Sequence, residues 1–292
     1  MKHSLKDWIL ATRPWSFPAS AMPVLAALLY VWSQGMQVNW LLGILAIVNI
    51  VLVHAAGNVW SDISDYKKGV DASDTFGARL LVDGVFTPAE FKRLSLSLNL
   101  MAVAMGLSIV YFTGLPLLYI GVIGILLSFC YPLLKYVALG DVVIILCYSL
   151  LPMIGTSFIA TGSIYWPVLW LSVPVGLITV AILHVNNYRD VETDKRAGIS
   201  TVPLLTGRGV GRWMYVFELL FPYVWVLSLA LCGVLSWWTL TAFASLPIAL
   251  ANVRAIKSKD LTLCSNLDEK TAQLQLAFSL SLSVGLLLSA LL

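Results

Sequence analysis

Apolar residues gather into nine runs along the chain, at about 17–33, 39–60, 94–112, 115–134, 139–160, 165–187, 212–232, 236–253 and 273–292. Each is close to the roughly 20 residues an α-helix needs to cross a bilayer. Barrel strands would be about half as long and would alternate apolar with polar positions. The breaks fall at glycine, proline or polar clusters, where helices stop. The pattern predicts an all-α, polytopic membrane protein with about nine transmembrane helices. Composition agrees: of 292 residues, 59% are hydrophobic and only 11% charged, whereas about a quarter of a soluble domain is charged.

Charge placement tests the count. All 18 Lys and Arg fall in the N-terminal tail and in the loops after the second, fourth, sixth and eighth runs. The tail holds Lys2, Lys6 and Arg13, and the loop after the fourth run holds only Lys135. The alternate loops hold none. Misplaced spans would scatter cations over both sides. By the positive-inside rule the N-terminus and every charged loop face the cytoplasm, and the C-terminus ends on the far side. Basic loops facing anionic lipid heads account for the net charge of +3, so no nucleic-acid partner is implied. The first run begins at Pro14-Trp15 and no small-residue cleavage site follows it, so no cleavable signal is expected. Cys130, Cys147, Cys232 and Cys264 show no CxxC or Cys/His spacing, which argues against a thiolate metal site or a disulfide framework.

Two of the apolar runs end in matching polar clusters: "HAAGNVWSDISDYKKGVD", His54 to Asp71, and "HVNNYRDVETDKRAGISTV", His184 to Val202. On a helix, residues three, four, seven and eight apart share a face. Asn58, Asp62 and Asp65 follow that spacing, as do Asn186, Asp190 and Asp194, with Asn187 an alternative to Asn186. Each helix is therefore expected to end in an Asn and two carboxylates on one stripe. Asp71 is off the first stripe, but Gly69 can break the helix and let Asp71 fold back. The clusters stand four spans apart, which suggests two four-helix halves plus a final helix. Carboxylates at membrane depth cost about 2.5–3.5 kcal/mol each, and crowding them adds repulsion. A hard divalent cation such as Mg²⁺ offsets that cost and completes its shell with phosphate oxygens. The pattern points to a diphosphate bridged by Mg²⁺, with Lys68, Arg79, Arg189, Lys195 and Arg196 as candidates for its remaining oxygens.

"NVWSDISDYKKGVD" and "NNYRDVETDKRAGISTV" resemble the two aspartate-rich motifs of the UbiA superfamily of intramembrane prenyltransferases. The resemblance extends to "ATRPWSFPASAMPV" and to "YPLLKYVALGDVVI", and so covers most of the chain. "KKGVD", "YVALGD" and "NNYRDVETDKRAG" are most similar to the branch that prenylates 1,4-dihydroxy-2-naphthoate for menaquinone, which includes animal relatives. The first motif departs from the family's Asn-x-x-x-Asp: with Asp65 as its Asp, the Asn position is Ser61, and Asn58 stands one turn earlier. Asp65 and Asp71 therefore rank above Asp62 for metal binding, unless Asn58 is the counterpart.

The resemblance implies one transmembrane catalytic domain over 1–292, with nine helices around a central cavity and cytosolic cap loops at about 61–93 and 188–211. It implies Mg²⁺, a polyprenyl diphosphate donor, an aromatic acceptor, and a bacterial inner or plasma membrane. Asp65, Asp71, Asp190 and Asp194 would be the catalytic carboxylates. Lys135 is the candidate for the acceptor's carboxylate, with Tyr131, Asp141 and Arg13 beside it; a snorkelling lysine is the alternative. His54 and His184 read as hydrogen-bonded packing residues, and Glu218 as an acceptor for a neighbouring helix. The same chemistry on 4-hydroxybenzoate, homogentisate, a haem or chlorin, or a glyceryl lipid remains open. So does a cation-coupled transporter, although acidic groups gathered at one face beside basic loops favour a diphosphate site over midplane ion sites.

Overall fold

The computed structural model describes residues 3–72, 79–258 and 261–292; Lys2 and Lys259, counted above among the loop cations, lie outside them. A short helix α1 (Leu5–Ala11) precedes α2 (Pro14–Ser33), α3 (Trp40–Lys68), α4 (Pro88–Thr113), α5 (Leu115–Lys135), α6 (Gly140–Thr161) and α7 (Trp166–Arg189). A second short helix, α8 (Val191–Arg196), leads to α9 (Val202–Leu231), α10 (Trp237–Lys257) and α11 (Leu267–Leu291). Among the described residues, nine helices are long and apolar enough to cross a membrane, one for each apolar run.

The helices outrun the apolar runs where polar sequence stays helical. α3 continues through the Asn/Asp stripe to Lys68 and stops at Gly69, whose φ of 75° places it in the left-handed region. α4 begins at Pro88 because Thr87 and Glu90 form a reciprocal capping box, satisfying two otherwise orphaned backbone donors. Both additions fall within the expected 61–93 cap loop. α9 starts ten residues before its apolar run and is interrupted at Gly207, whose backbone is non-helical.

The nine long helices close into a ring: each packs on its neighbour in sequence, and α11 packs on α2 to complete it. α11 also packs on α7, and α2 on α6, across the interior. The largest apolar core links α2, α7, α9, α10 and α11 through Tyr30, Ile178, Leu219, Ala249 and Phe278. On the charged side, α1 rests on the segment before α4: Trp8 meets Phe86 with ring centroids 4.8 Å apart, in a cluster with Ala11, Val59 and Phe91. Inside the ring lies a cavity of about 880 Å³. Its described lining comes from α2–α8, α11 and the chain just beyond α3, while α9 and α10 stand behind the wall.

Candidate active site

The cavity's polar end is built where α3, α5, α7 and α8 finish. α3 carries Asn58, Ser61, Asp62 and Asp65 at its C-terminus. The left-handed turn at Gly69 folds the next residues back, so that Val70 N donates to Asp65 O at 2.9 Å and Asp71 N reaches the same carbonyl at 3.4 Å. Asp71 thereby lines the cavity together with Asp65. Burial, and then the charge of Asp65, pushes the Asp71 carboxyl above its ordinary range.

Asp65 is buried and fully engaged. Lys135 Nζ lies 2.9 Å from its Oδ2, Tyr136 OH donates to Oδ1 at 2.9 Å, and Ser61 Oγ donates to Oδ2 at 3.3 Å. Asp62, one turn earlier, pairs instead with the Arg13 guanidinium and is not part of the cavity lining. Arg13 sits at the αL junction between α1 and α2, at φ 55°. Asn58 secures the same junction, donating Nδ2 to Thr12 O and Ser16 Oγ, each at 3.0 Å. The ambiguity of the first motif thus acquires a geometry: Ser61 serves Asp65 and Asp62 serves the N-terminal segment, while Asn58 holds that segment through Nδ2 and also lines the cavity.

The second cluster is not one continuous stripe. α7 ends at Arg189, Asp190 caps it, and Asp194 stands on the separate helix α8. Backbone bonds from Asp190 N to Asn186 O (2.9 Å) and Asp194 N to Asp190 O (2.8 Å) keep near-helical spacing across the break. Both aspartates line the cavity with Asn186 and Asn187. Arg189 grips Asp190 through two bonds, Nε to Oδ1 at 2.7 Å and Nη2 to Oδ2 at 2.8 Å, and reaches Asp268 of α11 at 3.2 Å. Asp194 is buried and accepts a bond from Thr201 Oγ1 at 3.2 Å. Burial and the Asp190 charge push its carboxyl up to about 6; a cation beside it would favour the ionised form. A bond from Ser200 N to Tyr136 O at 2.8 Å ties the loop after α8 to the loop after α5, and so one half of the site to the other.

Other expected site residues lie elsewhere. Lys68, Lys195 and Arg196 are exposed and outside the cavity lining. With Asp194 turned inward, the next two residues of a helix, about 100° and 200° further round, turn outward. Arg79 is also outside the lining, 3.6 Å from Asp83. Of the five expected diphosphate cations only Arg189 lines the cavity, where Arg13 and Lys135 join it. Tyr131 lines the cavity and Asp141 does not; Asp141 interacts electrostatically with His184 and Glu218 instead. Those two pair at 3.0 Å, and His54 bonds Ser20 Oγ at 3.0 Å and Ser16 Oγ at 3.3 Å; both histidines are hydrogen-bonded, and His54 also lines the cavity, beyond the packing role expected from sequence alone. Sequence reasoning missed Tyr136 and Gln275. Tyr136 adjoins Lys135, and Gln275 stands with Gln273 at the start of the last apolar run; neither has a spacing that marks a site.

Away from this end the cavity turns apolar, entering an arm walled by α4 and α5 through Ala102, Val103, Leu107, Leu117 and Gly121. Fold and site together define a membrane-embedded helical protein whose cavity suits a ligand with an anionic head and a long apolar tail. The UbiA prenyltransferase family matches residues 20–282. The chain belongs to that family and is a prenyltransferase. It is 32% identical to the mouse UbiA prenyltransferase domain-containing protein 1, over 99% of this chain and 86% of that protein. It is 35% identical to the Drosophila melanogaster homologue, over 75% of this chain and 63% of that protein. These relatives are animal proteins, and a bacterial source finds no support in them. Among solved structures the fold is shared with a UbiA homologue from Aeropyrum pernix K1 in its apo form, with TM-score 0.67, 17% identity and coverage of 98% and 99% of the two chains. It is shared also with an Archaeoglobus fulgidus homologue bound to GPP and Mg²⁺, with TM-score 0.63, 11% identity and coverage of 94% and 98%.

Proposed function

We propose that the chain transfers a polyprenyl group from an allylic diphosphate to an aromatic acceptor in a Mg²⁺-dependent reaction. The observation that carries this reading is the continuity of one cavity from the carboxylates and cations at the ends of α3 and α7 to the apolar arm between α4 and α5. The GPP and Mg²⁺ in the Archaeoglobus homologue support it. Among acceptors we favour 1,4-dihydroxy-2-naphthoate, on the resemblance of "KKGVD", "YVALGD" and "NNYRDVETDKRAG".

The donor set suits the metal. Asp65, Asp71, Asp190, Asp194 and Asn187 offer oxygen ligands in two groups along the wall. Among the described residues no three His, Cys, Asp or Glu side chains converge as a closed metal cage. Mg²⁺ commonly takes one or two carboxylates and completes its shell with water and substrate phosphates, so two open half-sites fit an ion delivered with a diphosphate. Bound there, Mg²⁺ would neutralise the leaving diphosphate. Arg13, Lys135 and Arg189 hold positive charge at the same end, each beside a carboxylate that fixes its position. Through its bond to Asp65, we assign Lys135 to the diphosphate end rather than to the acceptor. The apolar arm keeps water from the developing allylic cation, and the ring carbon attacks within a preorganised pocket. We place the carboxylate end, with the described parts of segments 61–93 and 188–211, on the cytoplasmic side, as the cation distribution indicates.

The test is purified protein incubated with Mg²⁺, a polyprenyl diphosphate and a panel of aromatic acceptors, with products identified by mass. A prenylated, decarboxylated naphthoate is expected. Product from another ring would replace the acceptor assignment, and no product from any acceptor would overturn the transfer.

A further inference from the structure

The cavity has a further wall, separate from the apolar one, on α11. α11 presents Asp268, Glu269, Ala272 and Gln275 to it, a spacing that forms a single helix stripe. α11 packs on α2 and α7, away from the α4–α5 wall that lines the apolar arm. A donor with its tail between α4 and α5 leaves the α11 side free for the second substrate. Gln275 is the deepest member of the stripe, seven residues from Asp268, or roughly 10 Å along the helix. Asp268 itself is held by Arg189 at the diphosphate end. A group beside Gln275 is therefore about two helical turns inward from that end.

Gln275 is 1% exposed. Its Nε2 donates to Ser279 Oγ at 3.3 Å, which leaves Oε1 buried with no hydrogen-bond partner among the described residues. Unmade bonds of this kind are costly inside a protein and rare without a reason. A carbonyl-type oxygen needs a donor. The proposed acceptor is an electron-rich ring carrying hydroxyl groups, and a phenolic O–H supplies that donor.

We infer that Gln275 reads a ring hydroxyl of the aromatic acceptor, accepting its hydrogen bond at Oε1 and so setting which ring carbon faces the allylic centre. This assignment rests on the aromatic-acceptor reading above. Gln275 is a specificity-determining residue, not a general base: the proton stays on the phenol. The bond also leaves more electron density on the phenolic oxygen, and through it on the ring carbon that attacks.

The experiment compares kcat/KM for a dihydroxy aromatic acid with that for each of its two mono-O-methyl ethers, at a fixed prenyl diphosphate and saturating Mg²⁺, in full-length detergent-solubilised protein. Wild type is expected to disfavour one ether by about tenfold, the scale of one hydrogen bond. Gln275→Leu should bring that ratio close to one while the donor KM stays within about twofold. A ratio unchanged in Gln275→Leu overturns the inference. Gln275→Met is the alternative if the leucine variant does not fold; failure of both to fold marks Gln275 as a packing residue and also overturns it. Wild-type transfer at equal rates to phenol and ethers sinks the Gln275 assignment alone. Absence of transfer to any aromatic acceptor sinks the proposed function and this inference with it.

Discussion

The two carboxylate clusters look alike in sequence and are held in different ways. At the end of α3, cations come from far along the chain: Arg13, 49 residues before Asp62, and Lys135, 70 residues after Asp65. At the end of α7 the cation is the adjacent residue, Arg189, with Asp268 of α11 as a second anchor. The first cluster is thus a product of tertiary assembly. The second is largely preformed by its own turn. In both, the charge repulsion that a diphosphate site requires is relieved before any ligand arrives, and the relief comes from groups that also line the cavity.

Equal roles in chemistry and unequal roles in folding would follow. Asp65→Asn and Asp194→Asn should each lower turnover by at least about 100-fold, the scale of losing one preorganised electrostatic group at a reacting site. Asn keeps the shape and part of the hydrogen bonding, so both variants should still elute as folded protein in detergent. EDTA should produce the same loss, reversed by added Mg²⁺. Full turnover in either variant would remove that carboxylate from the metal site.

Stability should separate the clusters. Lys135→Met leaves Asp65, whose side chain is 6% exposed, without its cation. Stranding a buried charge costs about 3–5 kcal/mol, which a lowered Tm in detergent would report. Arg189→Met strands Asp190 and Asp268, whose side chains are 26% and 25% exposed and so open to solvent, and its loss should be clearly smaller. In the surviving folded fraction, Lys135→Met should raise the KM for the prenyl diphosphate more than that for the aromatic acid. The opposite split would return Lys135 to the acceptor.

A smaller effect distinguishes the two candidate residues of the first motif. Asn58→Ala removes two bonds that hold the α1–α2 junction and should cost about 1–3 kcal/mol of stability. Ser61→Ala removes one 3.3 Å bond to Asp65 and should cost at most about 1 kcal/mol. If Ser61→Ala instead raises the Mg²⁺ requirement and Asn58→Ala leaves stability unchanged, the division of labour drawn from the geometry fails.

These asymmetries mark the limit of what could be read without coordinates. Apolar run lengths and the one-sided placement of cations were enough for the nine helices, because a bilayer constrains length and charge directly. The return of Asp71 was legible in Gly69. The break at Asp190 was not: nothing in "NNYRDVETD" is a glycine or proline, and the spacing continues across it. The partners of Asp62 and Asp65 were equally hidden, since periodicity says which face a residue occupies and nothing about which distant cation meets that face. Lys68, Lys195 and Arg196 were chosen for closeness in sequence, whereas the cavity selected cations by direction.

A last variant tests how the first cluster gains its second carboxylate. Gly69 sits at φ 75° with open space where a Cβ would be, no heavy atom of the described residues lying within 4 Å. Gly69→Ala therefore meets no steric clash, and its cost is the backbone's alone, roughly 1–2 kcal/mol for an L-residue in the left-handed region. Relief of that strain would pull the turn away from αL and carry Asp71 off Asp65. The Mg²⁺ concentration for half-maximal turnover should rise a few-fold, with little change in the KM for the aromatic acceptor. Asn tolerates this conformation better than Ala, so Gly69→Asn should fall between wild type and Gly69→Ala in both stability and Mg²⁺ requirement. If both variants lose the same stability but neither shifts the Mg²⁺ requirement, the turn matters to folding alone and Asp71 does not share a metal site with Asp65. An unchanged protein in both cases would mean that the chain beyond α3 reaches the cavity wall without the left-handed turn.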